Sequence, residues 1–502
     1  MLLTERYSDK ISGVISCFDR VVVQGTLPDW CYNIGMRRYL YLNQIKIFDY
    51  PAFANNLRLE LRDHAELIAK ENNLKIEFVR KVNGFRKEAR IKEILASRGM
   101  HPGLVHMFSA MEACTSYKPW HDKTTGKTFL TYDSGKCLHY YFYFIDKVFG
   151  LCYLRVPTWA PFRLQFYYNG HNYLAGKLDK AAIAYTIREN AFTSLADCEK
   201  AQALSDGFRV DDLKQALDIF ASRYCPVIKK FELAYHWSIM QVEYATDIMF
   251  KERDYLTTIY EPLIRTAIHS VKPENIATFL GRKLHPAYQG EMGNNFNTRI
   301  TGTRIKHQMG AASIKMYDKF GQVLRIETTT NDVTQFKCFR EVQHRDGSVE
   351  RKNAPMKKGI YSMFALSVLL KASNRRYVEF ISTFDDMSNG ISNLKKVSET
   401  VVTEKRTYKG FNFFAEDDAK LLVILERGEF NISGLQNKTL HHFFSDKSSG
   451  QISRILKRLN KHGIIRKVAK TYKYYLTGLG KAVIAAGLIV KEMSIIPQLA
   501  TV

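Results

Sequence analysis

Four side chains that could take part in chemistry alternate along the segments SIKMYDK (313–319) and VLRIETT (323–329), which a short turn separates. Successive side chains of a strand point to opposite faces, so Lys315 and Tyr317 should share one face with Arg325 and Glu327. A tyrosine can attack a phosphodiester, a glutamate can act as base or metal ligand, and cations stabilise phosphate charge. The pattern predicts Tyr317 and Glu327 as catalytic residues, and Lys315 and Arg325 as nucleic-acid contacts. A solvated hairpin face with cross-strand ion pairs is the alternative.

This hairpin resembles a short segment of plasmid and phage replication initiators, in which a lysine–tyrosine strand precedes an arginine–glutamate strand. The resemblance is confined to residues 313–329 and implies DNA nicking. The chain departs from many such initiators because it lacks their histidine–hydrophobe–histidine metal motif. Two cations in the approach to the hairpin, Arg304 and Lys306, are further candidates for nucleic-acid binding.

A second group of acids lies in the segment YHWSIMQVEYATDIMF (235–250), whose spacing predicts a helix. Glu243 and Asp247 would then lie one turn apart on one face. Two carboxylates at this spacing could share Mg²⁺ or Mn²⁺, with Glu327 or Asp332 as a further ligand, and could be catalytic. Asp19 and Asp146 could belong to an RNase-H-like set of acids together with Glu243 or Asp247. The alternative is a polar stripe against basic neighbours.

A third group lies in the run HYYFYFIDKVFGLCYLRVPTWAPFR (139–163), which mixes aromatic and basic residues. Its strand aromatics, together with Arg155, Trp159 and Arg163, could form a platform on which unpaired bases stack. Strand aromatics that fill a protein core are the alternative interpretation.

The C-terminal region carries the strongest pattern. From Ala415 the sequence predicts three helices, a hairpin and a last helix. The third helix, SSGQISRILKRLNKHG, has apolar residues on one face, and Gly463 ends it. The residues from 448 to 482 contain no Asp or Glu. The nucleic-acid contacts predicted here are Gln451, Arg454, Lys457, Arg458, Lys461, Arg466, Lys467, Lys470 and Lys473.

The segment ISRILKRLNKHGIIRKV…KTYKYYLTGLGKAVI resembles the third helix, wing and final helix of MarR-like regulators. That resemblance implies a winged helix-turn-helix that binds DNA. The chain as a whole also resembles bacterial proteins labelled as regulators because of such a C-terminal domain, and this broader likeness implies no activity. A basic helix can enter a major groove while a basic wing follows the backbone. A winged helix used for protein contacts is the alternative.

The composition favours a polyanionic partner, because 74 Lys and Arg against 50 Asp and Glu give a formal net charge of +24. No apolar run of about 18 residues predicts a membrane-spanning helix, and no basic amphipathic helix suggests a membrane surface. Eight single cysteines without a Cys-x-x-Cys pair argue against structural zinc and favour reduced thiols. The first residues lack the apolar core of a signal peptide, so we expect a cytoplasmic protein.

Changes in composition and periodicity predict an α+β protein with five regions. These are a mixed α/β region with aromatic–basic strands (1–176), a helical region (177–280), a hairpin and helix region (281–386), a linker (387–410) and a winged helix-turn-helix (411–502).

Together these features predict a nucleic-acid-binding protein of mobile-element or replication type. Its winged helix would dock on duplex DNA, and its N-terminal part would bind further DNA or RNA. The alternatives are a metal-dependent nuclease, nickase or transposase, a MarR-like transcription regulator with a large sensor domain, and a structured-RNA-binding protein. The chain could also form a homodimer.

Overall fold

The structure of the 502-residue chain is a computed structural model. The residues that it describes are 2–80, 86–231, 233–282, 284, 288, 290–299, 302–385, 387–404, 406–425, 430, 434–468 and 471–490.

The strands, in chain order, are β1 (Ile11–Thr26), β2 (Glu77–Phe78), β3 (Gly103–Asp122), β4 (Lys127–Asp146), β5 (Gly150–Pro157), β6 (Leu164–Asn169), β7 (Tyr185–Arg188), β8 (Ala191–Leu195), β9 (His236–Phe250), β10 (Met292–Arg299), β11 (Gly302–Met309), β12 (Ala312–Lys319), β13 (Val323–Thr330), β14 (Lys337–Gln343), β15 (Val349–Pro355), β16 (Val401–Thr403), β17 (Arg406–Tyr408), β18 (Ile465–Lys467) and β19 (Tyr474–Leu476).

The α-helices are α1 (Leu3–Arg6), α2 (Asn33–Leu42), α3 (Tyr50–Glu71), α4 (Lys87–Arg98), α5 (Gly170–Lys180), α6 (Cys198–Asp206), α7 (Val210–Tyr224), α8 (Arg253–Ser270), α9 (Pro273–Phe279), α10 (Met363–Asp385), α11 (Met387–Ser398), α12 (Glu416–Leu425), α13 (Asn437–Phe443), α14 (Ser449–Lys461) and α15 (Gly478–Ile489). Helices, long strands and small separate hairpins place the chain in the α+β class, as the sequence predicts.

The chain divides into two compact units. Unit 1 comprises residues 1–15, 245–329 and 369–502, and unit 2 comprises residues 16–244 and 330–368. The strands β1 and β9 each contribute residues to both units.

In unit 2 the strands follow the order β9, β1, β6, β5, β4, β3, β2. From β1 to β3 each strand is antiparallel to the next, and β2 joins β3 in parallel. Helices cover both faces of this sheet. Phe142 of β4 stacks on Tyr224 of α7, whereas Tyr141 and Tyr143 pack in a cluster with Ile91 of α4. The five aromatic residues at positions 140–144 are therefore core, and their expected role in a stacking platform is wrong.

In unit 1 the strands follow the order β10, β11, β12, β13, β9. The helix α10 contacts one face of this sheet, because the Thr328 hydroxyl lies 2.7 Å from Asn374 Oδ1 and the His307 ring lies 2.9 Å from the Tyr377 hydroxyl. Side chains alternate along a strand, so Glu327 points to the face opposite to Thr328. The polar face predicted for the hairpin is thus the face that does not contact α10.

The C-terminal part of unit 1 has the predicted order of elements: α12, α13, α14, the hairpin β18–β19 and α15. Leu435 forms an antiparallel bridge with Tyr474, which adds a third short segment to the hairpin. Leu421, Ile452 and Leu456 belong to the apolar core that joins the helices. Below, this part of the chain keeps the name winged helix, after the arrangement that its sequence predicts.

Two sequence-based expectations are corrected. The segment 235–250 is not a helix, since the strand β9 spans His236–Phe250. The segment 387–410, expected to be a linker, contains the helix α11 and the hairpin β16–β17. Among the described residues, no helix is both long and apolar enough to cross a membrane.

Candidate functional site

The hairpin β12–β13 brings a lysine and a tyrosine to the carboxylate of one glutamate. Lys315 Nζ lies 2.6 Å from Glu327 Oε1, and the Tyr317 hydroxyl donates to Glu327 Oε2 over 2.7 Å. Glu327 is 1% exposed, while Lys315 and Tyr317 are half-buried. The shared face predicted for these three residues is confirmed. A carboxylate that accepts a hydrogen bond from a tyrosine hydroxyl has the geometry of a base beside a nucleophile.

The fourth predicted member of this face has another partner. Arg325 forms two hydrogen bonds with Asp247, from Nε to Oδ1 and from Nη2 to Oδ2, each 2.6 Å long. Both side chains are 0% exposed. The bidentate geometry satisfies the carboxylate and the guanidinium together. The prediction of Arg325 as a nucleic-acid contact is therefore wrong, because no surface of its side chain is available.

The predicted metal pair of Glu243 and Asp247 is also corrected, because both lie on the strand β9. Four residues of strand span about 13 Å, whereas one helical turn would bring the carboxylates side by side. The two acids therefore cannot share one ion. Asp247 is held by Arg325, which supports a structural role instead of the catalytic and metal-binding roles predicted for it.

Asp19 of β1 is the centre of a buried polar network in unit 2. Its carboxylate accepts hydrogen bonds from the side-chain amides of Asn169 (2.8 Å) and Asn190 (2.8 and 3.0 Å), and it lies 3.1 Å from His171 Nδ1. Asn169 in turn caps α5, since its side chain accepts the backbone N–H of His171. The junction between β6 and α5 therefore holds Asp19 in place.

The same carboxylate lies near Glu243. Asp19 and Glu243 each offer a carboxylate oxygen, and the two oxygens are within 4.8 Å of each other. Their strands, β1 and β9, are neighbours in the sheet of unit 2. Carboxylate oxygens at this separation could hold Mg²⁺ or Mn²⁺. Unit 2 thus joins Glu243 to Asp19 of the predicted RNase-H-like set, whereas the predicted ligand Glu327 belongs to unit 1.

The winged helix presents cations on α14 and on the hairpin that follows it. The exposed members are Arg454, Lys457, Lys461, Arg466, Lys467 and Lys473. Gln451 is also exposed, and its side-chain oxygen accepts the Ser448 N–H at 2.6 Å in the capping box that begins α14. Lys470 lies outside the described residues. These exposed cations of α14 and the hairpin are called the basic surface below. The sequence between residues 448 and 482 contains no acidic residue.

Arg458 is an exception on α14. Its guanidinium binds both carboxylate oxygens of Asp418 at 2.8 and 2.9 Å and the Gly410 carbonyl at 2.7 Å, and it lies 3.8 Å above the Phe411 ring. Arg458 therefore ties α14 to α12 and its charge is neutralised by Asp418, while its role as a nucleic-acid contact stays a prediction. The acidic first turn of α12 was the sequence signal for this partner.

The remaining predicted cations lie on β11 beside the hairpin cluster. Lys306 is opposite Lys315 in the strand register, and Arg304 precedes it by two residues on the same face. Both side chains are half-buried. The structure thus groups three cations of β11 and β12 on one face, although Lys315 already binds Glu327.

Comparisons of the chain with protein-family models, curated proteins and solved structures find no match.

Proposed function

We propose that the chain is a nucleic-acid-binding protein of mobile-element or replication type, whose winged helix docks on duplex DNA. The observation that carries this proposal is the basic surface of α14 and its hairpin. It has six exposed cations, and the sequence from 448 to 482 that supplies them contains no acidic residue. Closely spaced cations repel each other unless a polyanion neutralises them, and the DNA backbone is such a polyanion.

The dimensions and the side chains of α14 suit the major groove. A helix with its side chains is about 10–12 Å wide, and the major groove is about 12 Å wide. Arg454 and Lys457 are exposed near the middle of α14, where they could reach base edges. Arg466 and Lys467 of β18 would contact phosphates, which sets the register of docking without reading the sequence.

The test is a titration of the full chain with fluorescent duplex DNA at several salt concentrations. If all six exposed cations neutralise phosphates, the slope of log K against log[salt] is about −5, since each contact contributes about −0.9. The double variant Arg454→Ala/Lys457→Ala should bring the slope closer to zero by about 2. Lys481→Ala, an exposed lysine of α15, is the matched control and should leave the slope unchanged.

A slope near zero for the unaltered chain would refute this proposal, because phosphate contacts release counterions. Equal losses in the double variant and in the Lys481 control would place binding elsewhere on the chain. A parallel titration with duplex RNA checks the alternative of a structured-RNA partner.

A second candidate function, metal-dependent cleavage of a phosphodiester, is favoured by the separation of Asp19 and Glu243. Two carboxylates that bind Mg²⁺ or Mn²⁺ can position a water against a phosphodiester and stabilise charge on the leaving oxygen. Tyr317 beside Glu327 would be the alternative nucleophile. Because Asp19 is already surrounded by amide donors, Glu243 is the better residue to vary.

The test of this candidate is Mn²⁺ binding and DNA cleavage by the full chain. Glu243→Gln should weaken both, whereas Glu199→Gln, at an exposed glutamate of the same unit, should change neither. Tyr317→Phe separates the two chemistries, since it removes cleavage only if the tyrosine is the nucleophile. Mn²⁺ affinity that is equal in the Glu243 variant and in the unaltered chain would exclude the Asp19–Glu243 pair.

A further inference from the structure

A cavity of about 160 Å³ opens on the sheet of unit 2, at residues that the winged-helix proposal does not use. Part of its floor is a row of register partners, in which Gln24 of β1 pairs with Gln165 of β6, and Gln165 pairs with Arg155 of β5. Register partners point to the same face of a sheet. Trp159, Arg163 and Met240 are among the other residues that line the cavity. The cavity thus combines amide groups, two guanidinium groups and several apolar side chains, among them Trp159 and Met240.

The charge around the cavity is positive. Arg155 pairs with Glu112 at 2.7 Å, but Lys87 lies 3.5 Å from the same carboxylate, so this group keeps one positive charge. Arg163 adds a second positive charge, because it forms no ion pair with an acid in the described part of the chain. Its Nη2 donates a hydrogen bond to the neutral Cys31 carbonyl at 3.3 Å. His139 contributes none at neutral pH, since burial and then Arg155 lower its pKa to about 4.

Arg163 also has an unused donor. Its Nε is buried and has no hydrogen-bond partner among the described residues. A buried donor without a partner costs about 1–3 kcal/mol, and an anionic oxygen would satisfy both the donor and the charge. The position of Arg163 therefore favours a ligand with a phosphate or a similar anionic group.

The apolar side chains indicate the other part of the ligand. Trp159 offers a flat ring, and Met240 is 47% exposed although it lies on a strand. The cavity is smaller than the roughly 300–1,000 Å³ of sites for drug-sized ligands, so it suits a group of about one nucleobase. The amide side chains of Gln24 and Gln165 can each donate and accept, as the edges of bases require.

We propose that this cavity holds one unpaired nucleotide of a bound nucleic-acid strand, with the base against Trp159 and the phosphate beside Arg163. This inference rests on the proposed nucleic-acid function and names the form of nucleic acid that unit 2 recognises. Aromatic stacking tolerates every base, so the site selects unpaired strands and not a particular sequence.

The test uses the full chain and a single-stranded oligonucleotide that contains 2-aminopurine, whose fluorescence changes on stacking. Trp159→Leu should weaken single-strand binding about 5- to 150-fold, from a stacking contribution of about 1–3 kcal/mol, and should abolish the fluorescence change. Trp120→Leu, at a 53% exposed tryptophan of β3 that does not line the cavity, is the matched control and should change neither. Arg163→Gln should reduce the salt slope by about 0.7.

Unchanged single-strand affinity in both Trp159→Leu and Arg163→Gln would overturn the inference. Equal effects of Trp159→Leu on paired duplex and on single strands would also overturn it, since the cavity would then not select unpaired bases. Free nucleoside monophosphate that binds as tightly as the strand would show a small-molecule site instead. The winged-helix proposal is judged separately, by the effect of Arg454→Ala/Lys457→Ala on duplex binding.

Discussion

The sequence predicts that Asp247 binds a metal ion, whereas the structure places it in a buried ion pair with Arg325. Substitution of these two residues distinguishes the metal-binding role from the structural role. Asp247→Asn keeps the shape of the side chain but removes its charge, so that the Arg325 guanidinium loses its counter-charge in a site with 0% exposure. One of the two 2.6 Å hydrogen bonds is also lost, because the amide nitrogen of asparagine cannot accept.

Removing one partner of a buried ion pair costs about 3–5 kcal/mol. Typical domains have about 5–15 kcal/mol of stability, so this variant should lose a large part of it. The double variant Asp247→Leu/Arg325→Met removes both charges and fills the space with apolar atoms. Such a replacement is often close to neutral, so we expect it to recover most of the loss.

Hydrogen exchange followed by mass spectrometry measures this effect locally, in peptides from β9 and β13. Arg375→Gln is the control, because this arginine forms an ion pair with Glu379 in which its side chain is 75% exposed, and it should cost at most about 0.5 kcal/mol. A cost below about 1 kcal/mol for Asp247→Asn would refute the reasoning. A stabilisation by Mg²⁺ that is present in the unaltered chain and absent in Asp247→Asn would restore the metal-binding role instead.

Three further predictions follow from contacts in unit 1. Arg458→Met should lower the melting temperature of the winged helix while Arg454→Met leaves it unchanged, as measured by calorimetry, because only Arg458 binds Asp418. Burial lowers the pKa of His307 to about 3, so the unfolded chain binds an extra proton between pH 3 and about 6.5. Stability should therefore fall as the pH decreases through this window, by up to about 1.4 kcal/mol per pH unit in urea unfolding, and His307→Gln should flatten the dependence. Tyr317→Phe should cost about 1–2 kcal/mol of stability in the same assay, since it removes a hydrogen bond to a buried carboxylate.

Local patterns were sufficient for the elements whose periodicity is unambiguous. The hairpin β12–β13 follows from strict alternation around a Gly turn, and its Lys315–Tyr317–Glu327 cluster follows from the period of a strand. The order of helices and hairpin in the winged helix follows from caps, amphipathic spacing and Gly463. In both places the local signal and the fold agree.

Local patterns misled where two periods overlap. In 235–250 the acids are spaced as on a helix, but Trp237 and Ile239 alternate with more exposed residues as on a strand, and sheet pairing on both sides makes β9 a strand. In 387–410 a weak pattern concealed α11, whose apolar residue Val397 is buried in the winged-helix core. Propensity is a weak preference that tertiary contacts override.

The sequence by itself determined which residue types are present, the basic character of the chain and the faces on which neighbouring side chains lie. It established the exposed cations of α14 and the shared face of Tyr317 and Glu327, because both depend on the geometry of a single element or hairpin. Only the tertiary structure decided which charges are neutralised. Asp247 and Asp418 come from distant segments and neutralise Arg325 and Arg458, and Asp19 meets Glu243 across two strands that lie far apart in the chain. Such pairings depend on the order of strands and helices in space, and that order is a property of the packed chain.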